Sequence, residues 1–504
     1  MKCNLIEYFN DTVTKFSDKV SLDDNQNQLT FAELDRYSNC LATAILNVSS
    51  SFRLPICVYL PKNLWNIVSF IGIMKSGNFY VPLDVKTPFD RTSKILDKLN
   101  SSIIVSNSEF RNKLVQCGFS GHIICIEDEL ESNLTVDSLS KLESIKNSVI
   151  DLDPIYSIFT SGSTGTPKGV LISQRGVIDY IEWAREVYSV TENDIIGNQA
   201  PFYFDNSTLD IYLMIVTGAK LNIIPEDRFT FPIKLIEYIN EKHINFVFWV
   251  PSVLNSISNF DAFSSVLPTS LNKILFAGEA MPNKHLNYWR SKYPNALYSN
   301  LYGPTEITVD CTYYIVDRSF NDDDPLPIGK ACKNTQVLIF SDSGNIVEVG
   351  EIGELCVRGT SLAFGYYNDF EKSESVFVQN PLHNFYSDKI YKTGDLVYEN
   401  NLGELIFVGR KDSQIKHMGY RIELGEIETA IHGIDGIKNV CVLYDNKQSQ
   451  IVCFYIGDIS FADVRKYLLD ILPKYMIPTK WILEKEFPFN ANGKIDRLNL
   501  FSKI

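Results

Sequence analysis

Runs of β-prone apolar residues alternate with helical patterns through the first four-fifths of the chain. The segments 55–60, 155–159 and 220–224 are mostly apolar and β-prone, which predicts strands. Segments 184–190 and 235–242 carry helical patterns instead. This alternation predicts a large α/β domain built as layers of several sheets and helices.

The pattern changes to short strands and turns near residues 403–408, and a smaller unit follows the polar run 409–412. We therefore predict two domains, residues 1–411 and 412–504. The polar run suits a hinge as well as a plain surface loop. The smaller domain is predicted to be α+β, with helices at 427–434 and 461–471 and strands at 440–444 and 451–456.

Composition narrows the class of protein. A chain of 504 residues is too long for one ordinary core, and its 45% hydrophobic and 21% charged residues are typical of soluble globular proteins. The formal net charge of -14 argues against a nucleic-acid partner. The start lacks a signal-peptide core, and the best apolar run, 67–74, is too short to insert into a membrane.

Ten cysteines are scattered singly along the chain, with no Cys-x-x-Cys pair. This spacing predicts free thiols in a reducing cytoplasm and argues against a disulfide framework or a zinc site.

Segment 160–169, Thr-Ser-Gly-Ser-Thr-Gly-Thr-Pro-Lys-Gly, combines hydroxyl donors, flexible backbone and one cation, the parts of a phosphate-binding loop. It differs from a P-loop, because Pro167 precedes the lysine and Gly169 follows it, and it lacks the dinucleotide pattern Gly-x-Gly-x-x-Gly. A Gly/Ser linker is the alternative interpretation. The candidate phosphate-binding residues are Thr160, Ser161, Gly162, Ser163, Thr164, Gly165 and Lys168.

The loop resembles the signature of the adenylate-forming superfamily, which includes adenylation domains of nonribosomal peptide synthetases, acyl-CoA synthetases and luciferases. Segments 300–306, 391–395, 409–423 and 490–497 resemble further motifs of that superfamily. Two earlier matches, 29–34 and 75–84, look structural. The resemblance implies the superfamily's fold, a large layered domain with a small mobile C-terminal domain.

The resemblance also implies roles for residues of the nucleotide site, with ATP as substrate and Mg²⁺ as metal. Taken singly, these motifs have simpler interpretations, a Gly-Pro turn with a solvated Glu or an ordinary Gly-Asp turn. The implied roles are Tyr302 stacked on adenine, Asn300 at the adenine edge, Gly303 beside the nucleotide, Thr305 at the α-phosphate, Glu306 on Mg²⁺, Asp395 on the ribose and Arg410 near the nucleotide.

The C-terminal motifs imply three further roles. Asp412 matches the hinge position, and Gly419 matches a site where a pantetheine arm passes and a side chain would block it. Met418 departs from the superfamily, which more often has Arg there. Lys494 matches the mobile catalytic lysine that bridges the substrate carboxylate and the α-phosphate. By itself it is a lysine beside an Asn-Gly turn, and most such lysines are merely solvated.

Segment 204–207, Phe-Asp-Asn-Ser, resembles the motif of amino-acid activators, in which the Asp pairs with the substrate α-ammonium. A helix N-cap is the alternative for Asp205. Asp310 either accepts a hydrogen bond from a substrate side chain or turns outward to water or a backbone N–H. Motif matching gives a small, mostly apolar pocket of Asn206, Leu209, Phe248, Leu275, Ala277, Leu301, Val309 and Asp310.

We expect activation of an amino acid as aminoacyl-AMP, then transfer to a phosphopantetheine thiol. An inward Asp310 favours serine or another small polar amino acid. Segment 198–205 also resembles D-alanine–carrier protein ligases, so D-alanine is the close alternative, and an acyl-CoA synthetase is a weaker one. No carrier or condensation motif appears in the chain, which predicts a separate carrier. The resemblance implies an acidic carrier, and this chain is acidic too, so we expect docking on a local basic or apolar patch.

Overall fold

The structure is a computed structural model and describes residues 2–162, 166–446, 448–488 and 495–504. Its contacts divide the chain into two compact units. The larger contains Met1–Asp84, Ser101–Ile158 and Val170–Lys411, and the smaller contains Val85–Asn100, Phe159–Gly169 and Asp412–Ile504. Two segments from the first half of the chain therefore group with the C-terminal part. The simpler division into 1–411 and 412–504 stays a prediction.

Helices account for much of both units, and several begin at residues that favour helix starts. Thr30 and Glu33 form a capping box at α2, so the 29–34 motif has a structural role, as expected. The helices of the described residues are α1 Leu5–Phe16, α2 Phe31–Val48, α3 Leu64–Lys75, α4 Phe89–Leu99, α5 Ser108–Gln116, α6 Ile126–Glu129, α7 Val136–Ser148, α8 Gln174–Val187, α9 Asn206–Thr217, α10 Pro232–Glu241, α11 Pro251–Asn259, α12 Asn283–Lys292, α13 Phe370–Val376, α14 Leu424–His432, α15 Phe461–Ile471 and α16 Arg497–Phe501.

Short strands alternate with these helices. They are β1 Val20–Asp23, β2 Gln28–Thr30, β3 Pro55–Val58, β4 Phe79–Pro82, β5 Ile103–Ser106, β6 His122–Cys125, β7 Pro154–Thr160, β8 Lys168–Ser173, β9 Ile195–Asn198, β10 Lys220–Ile223, β11 Phe246–Trp249, β12 Lys273–Phe276, β13 Leu297–Tyr302, β14 Thr312–Ile315, β15 Lys330–Ala331, β16 Thr335–Phe340, β17 Gly353–Gly359, β18 Gly365–Tyr366, β19 Phe377–Gln379, β20 Lys389–Glu399, β21 Leu405–Arg410, β22 Gln414–His417, β23 Tyr420–Glu423, β24 Ile437–Asp445, β25 Gln450–Gly457 and β26 Lys480–Leu483.

Three sheets carry these strands up to β21. The first has nine strands in the order β15-β14-β13-β12-β11-β9-β10-β1-β2, and the second has seven in the order β18-β8-β7-β4-β3-β5-β6. The third contains β16, β17, β19, β20 and β21. Strands β9 to β13 of the first sheet run parallel, so their carboxyl ends share one edge. The layered α/β class is thereby confirmed.

Successive side chains along a strand point to opposite faces of the sheet. In the first sheet, the side chains on the two faces therefore pack into two different apolar cores. Phe248 and Leu275 belong to one buried cluster, whereas Val247 and Ile274 belong to a second. The strand's two faces are thus both covered, which explains why 246–249 is apolar throughout.

Part of the smaller unit is α+β, as predicted. Strands β24, β25 and β26 form one sheet, and α14 and α15 supply residues to the same core as β24 and β25. Strands β22 and β23 form a hairpin with a two-residue turn at Met418 and Gly419. Their φ values of 53° and 80° are those of a turn that favours glycine.

The predicted segments agree with the observed elements, with errors only at the ends of helices. Segments 55–60 and 220–224 contain β3 and β10, and 155–159 lies within β7. Helices α10 and α14 end at Glu241 and His432, one and two residues before the predicted ends. Helix α8, however, ends at Val187, and Ser189 has a φ of 48°, so residues 188–190 are not helical. No helix in the described ranges has the length and apolar character needed to cross a bilayer.

Candidate active site

The buried Tyr302 and Asp395 and the half-buried Arg410 form a hydrogen-bonded group in the larger unit. The hydroxyl of Tyr302 donates to Asp395 Oδ2, and Arg410 Nη1 lies 2.5 Å from Asp395 Oδ1. Asp395 on β20 stands directly opposite Arg410 on β21, which brings the ion pair together. Burial, followed by the Asp395 charge, raises the pKa of Tyr302 well above its usual value. The structure brings these three candidates together; their binding of nucleotide stays a prediction.

Glu306 is completely buried within the short 3₁₀ helix Thr305–Ile307. Its Oε1 accepts a hydrogen bond of 2.8 Å from the Tyr366 hydroxyl, and its carbonyl accepts one of 2.9 Å from the Ala363 amide. Thr305 is also buried. A solvated Glu306 on a plain turn, the simpler interpretation of the sequence, does not match this burial.

The residues present fit Mg²⁺ shared between the protein and ATP. A carboxylate is the hard oxygen ligand that Mg²⁺ prefers, and this ion commonly takes one or two protein carboxylates together with substrate phosphates. Within the part of the chain that the structure describes, no group of three or more His, Cys, Asp or Glu residues could hold a metal ion. Glu306 is therefore suited to a site that the triphosphate completes.

Asn300 and Gly303 flank Tyr302 on the chain. Asn300 is buried, and its Nδ2 donates to the Pro327 carbonyl at 2.8 Å. A Cβ on Gly303 would lie 2.3 Å from the Val309 carbonyl oxygen and 2.5 Å from the Asp310 Cα. Glycine is therefore required where the turn after β13 meets the following loop.

That following loop has a strained backbone. Thr308 and Val309 have φ values of 59° and 73°, a region in which a β-branched residue is an outlier. The Thr308 hydroxyl donates to the Ser361 carbonyl at 2.8 Å, and the Asp310 amide donates to the Thr308 carbonyl at 3.1 Å. These bonds hold the loop in a conformation that directs Val309 into the apolar cluster.

Part of the predicted phosphate loop is described, within the smaller unit. Thr160 ends β7 and Lys168 begins β8, as the β-run before the loop indicated. The Ser161 hydroxyl donates to the Arg421 carbonyl at 2.8 Å, and a Cβ on Gly162 would lie 2.1 Å from the Thr166 oxygen. Both Ser161 and Lys168 are buried, which disagrees with a solvated linker. Ser163, Thr164 and Gly165 lie outside the described residues.

Asp205 occupies the N-cap position of α9, with φ −64° and ψ −26°, yet its side chain makes no capping hydrogen bond. The helix-cap interpretation therefore gives the correct position of Asp205, but its side chain does not cap the helix. Asp205 is half-buried, and Asn206 next to it has a buried Nδ2 without a hydrogen-bond partner.

The apolar candidates of the substrate pocket all belong to the core of the larger unit. Phe248, Leu275 and Leu301 lie near the carboxyl ends of the parallel strands β11, β12 and β13, where open α/β sheets bind ligands. Phe248 on β11 and Leu275 on β12 are register partners, and each is fully buried. One buried cluster contains Leu209, Phe248, Leu275, Ala277, Leu301 and Val309.

Asp310 is buried and is not turned to solvent, which excludes the water-bound alternative. Its Oδ2 accepts a hydrogen bond of 2.7 Å from the Tyr180 hydroxyl on α8. Burial, followed by the Asp310 charge, raises the pKa of Tyr180 well above its usual value. The tyrosine therefore donates and the aspartate accepts, and one carboxylate oxygen already has a protein donor.

The C-terminal candidates have local roles in the smaller unit. Asp412 Oδ1 accepts from the Gln414 amide at 3.1 Å, and Gly419 supplies the positive φ of the β22–β23 turn. Their hinge and pantetheine roles stay predictions. Lys494 lies outside the described residues, so its catalytic role is a prediction as well.

Sequence reasoning missed Tyr180 and Tyr366, the donors to Asp310 and Glu306. Tyr180 lies among the apolar residues that α8 buries, and Tyr366 lies in a Gly-Tyr-Tyr run. Neither position carries a local pattern that distinguishes a hydrogen-bond donor from an ordinary core tyrosine.

Comparison with known proteins identifies the family. Residues 9–367 match the family model described as AMP-binding enzyme. Zwittermicin A synthase ZmaJ of Bacillus cereus is 32% identical over 97% of this chain and 93% of its own. A D-alanine–D-alanyl carrier protein ligase of Bacillus cereus strain AH187 is 31% identical over 95% of each chain.

Longer synthases match as well, and the chain spans between 7% and 44% of their length. Among solved structures, the Vibrio cholerae adenylation domain AlmE, in complex with glycyl-adenosine-5'-phosphate, has a TM-score of 0.85. The match covers 100% of this chain and 98% of AlmE at 21% identity, which shows a shared fold.

Proposed function

The chain belongs to the family of AMP-binding enzymes, and from that premise we propose that it is an amino acid–carrier protein ligase. It activates a small amino acid with ATP as an aminoacyl-adenylate. It then transfers the aminoacyl group to the phosphopantetheine thiol of a separate carrier protein. The relatives named as carrier protein ligases and synthases support this assignment.

The observation that carries the proposal is the placement of Asp205. Its carboxylate stands at the start of α9 without capping the helix, and Leu209 of the same helix enters the apolar cluster. A half-buried carboxylate there suits an α-ammonium group, because a charge-assisted hydrogen bond is strong where water is partly excluded. Fatty and aryl acids have no such ammonium group.

The first step needs no general base. The substrate carboxylate is already ionised near neutral pH, because such groups titrate around pH ~4. Its oxygen bonds to the α-phosphorus, the bond to the bridging oxygen breaks, and pyrophosphate leaves. Positioning and charge stabilisation are what the protein supplies.

In this proposal, Lys494, Lys168 and Thr305 contact the phosphates, and Asp395 accepts hydrogen bonds from the ribose hydroxyls. Glu306 would hold Mg²⁺, which when bound would supply positive charge to the triphosphate. Tyr302 presents its ring to the adenine.

The second step exchanges one acyl bond for another. The carrier thiol attacks the carbonyl carbon of the adenylate, a thioester forms, and AMP leaves with the thiol proton passing to solvent. Rotation about Asp412 removes Lys494 between the two steps and brings Gly419 beside the pantetheine arm. One site thus serves both reactions.

Serine remains the first candidate substrate, because a buried carboxylate at Asp310 is an acceptor that suits a substrate hydroxyl. D-alanine is the second candidate. The carrier ligase relatives favour it, and so does Tyr180, which satisfies Asp310 without help from the substrate.

ATP–pyrophosphate exchange across the L- and D-amino acids tests the proposal. We expect exchange with one small amino acid and loading of a phosphopantetheinylated carrier. Exchange that responds only to aliphatic or aryl acids would identify an acyl-CoA synthetase-type ligase.

Asp205→Ala provides the discriminating variant. Under our proposal it raises the KM of the amino acid by about 10- to 100-fold, the value of one charge-assisted bond. An acid without an ammonium group would bind equally well to both proteins. Asp458→Asn, on an exposed carboxylate of the smaller unit, is the matched control.

A further inference from the structure

Asp210 is a fully buried carboxyl group that the proposed chemistry does not use. It lies on α9, five residues after Asp205, and its Oδ2 accepts a hydrogen bond of 2.9 Å from Asn198 Nδ2 at the end of β9. Asn198 is fully buried as well. The two side chains therefore join the second turn of the helix to the strand that precedes it.

Each of these side chains keeps one buried oxygen without a hydrogen-bond partner, Asp210 Oδ1 and Asn198 Oδ1. Two buried acceptors left unpaired are costly. One proton on Asp210 Oδ1 converts an acceptor into a donor and makes the amide oxygen of Asn198 its natural partner. An acid–amide pair with two hydrogen bonds then satisfies both groups.

The hydrogen bond between Asn198 and Asp210 joins the two ends of the segment that contains Asp205. Residues 199–204 leave β9 after Asn198 and lead directly to Asp205, while Asp210 holds the helix that follows. Lys62 anchors the same segment, since its Nζ donates to the Gln199 carbonyl at 2.8 Å and lies 5.7 Å from the Phe202 ring centre. The position of the Asp205 carboxylate thus depends on how α9 is joined to β9.

We propose that Asp210 is a positioning residue that stays protonated in the working enzyme, pairs with Asn198 and thereby holds Asp205 in place for the amino acid. This inference rests on the proposed amino-acid activation. When Asp210 ionises, the pair loses a hydrogen bond, a buried charge appears, and the segment 199–209 shifts.

The electrostatic surroundings support a neutral Asp210. Burial raises its pKa to about 8, while the hydrogen bond from Asn198 and the charge of Lys62 act in the opposite direction. Lys62 is the charged group that acts on Asp210, and it is occupied with the Gln199 carbonyl. Asp210 therefore exchanges its proton in the mildly alkaline range.

The test compares the KM of the amino acid near pH 7 and near pH 9 in pyrophosphate exchange, for the wild type and for D210N. If only the protonated form binds, the wild-type KM rises about tenfold at one pH unit above the pKa. In D210N the KM changes only through titration of the amino acid's own ammonium group, which also affects the wild type. The wild-type ratio of the two KM values should therefore be about tenfold larger than the D210N ratio.

A second measurement does not depend on activity. Between about pH 4 and pH 8 the folded wild type holds a proton that the unfolded chain has lost, so its unfolding free energy falls relative to D210N as the pH rises. Infrared difference spectra of the wild type should also lose a neutral carboxylic acid band near pH 8.

The outcomes separate the two claims. If no amino acid supports pyrophosphate exchange, the proposed function is overturned. The stability difference and the infrared band still report whether Asp210 is protonated. Equal KM ratios in both proteins overturn the positioning role. A flat stability difference, or no acid band, shows that Asp210 is ionised throughout and overturns the inference even if D210N folds poorly.

Discussion

Removing the hydroxyl group of Tyr180 tests the electrostatic account of Asp310. In the wild type this hydroxyl donates to Asp310 Oδ2 at 2.7 Å, and both side chains are almost fully buried. Tyr180→Phe keeps the ring, which stacks on Trp183 with centroids 5.6 Å apart, and deletes only the donor. The carboxylate then remains buried with one fewer hydrogen bond.

The expected loss of unfolding free energy follows from the charge of Asp310. A hydrogen bond to a charged group contributes about 1.5–3 kcal/mol net, against about 0.5–1.5 kcal/mol for a neutral pair. Tyr188→Phe is the matched control, because Tyr188 is equally buried and its hydroxyl lies 2.9 Å from the neutral Ser299 hydroxyl. Tyr180→Phe should therefore lower the unfolding free energy by about 1 kcal/mol more than Tyr188→Phe.

Urea unfolding followed by near-ultraviolet circular dichroism measures both variants, and a double-mutant cycle with Asp310→Asn isolates the pair. Pyrophosphate exchange with serine and with alanine adds a functional readout. An Asp310 oxygen released from Tyr180 should shift the ratio of activities toward serine. Equal destabilisation by the two Phe variants, together with a coupling energy near zero, would refute the reasoning.

Three further predictions follow from the site. Asp395→Asn should raise the KM of ATP at least tenfold and leave that of the amino acid nearly unchanged, because a half-buried Arg410 loses its charge partner; equal changes in both constants would contradict this. Gly303→Ala should abolish folding or exchange, since its Cβ would meet backbone at 2.3 Å, whereas Gly433→Ala, with its nearest contact at 3.6 Å, should be tolerated; circular dichroism and exchange assays decide. Lys494→Ala should slow adenylate formation by about 100-fold or more and spare thioester formation from supplied aminoacyl-adenylate; equal loss of both steps would remove the assigned role.

The sequence predicts the strands and the α/β layering well, because both depend on local pattern. Phe248 and Leu275 are apolar residues of buried strands, and their meeting on one sheet face follows from parallel pairing. The pairing of Asp395 with Arg410 depends instead on the register between β20 and β21. The spacing of apolar residues along the two strands does not determine that register.

The sequence did not predict the long-range polar contacts. Tyr180 and Asp310 are 130 residues apart, and Tyr366 and Glu306 are 60 apart. Nothing near either tyrosine distinguishes it from a core residue, since donor and acceptor meet only after the sheets and helices have packed. The inclusion of 85–100 and 159–169 in the smaller unit is likewise a property of tertiary contacts.

The strained loop at Val309 bears on how such an enzyme changes its substrate range. Holding a β-branched residue at positive φ costs about 1–3 kcal/mol, so Val309→Gly relieves backbone strain that partly offsets the loss of a buried side chain. Truncating Leu209 or Phe248 instead opens a cavity in packed core at a cost of about 2–5 kcal/mol. Under the proposed function, position 309 is therefore the pocket candidate whose truncation costs the least stability.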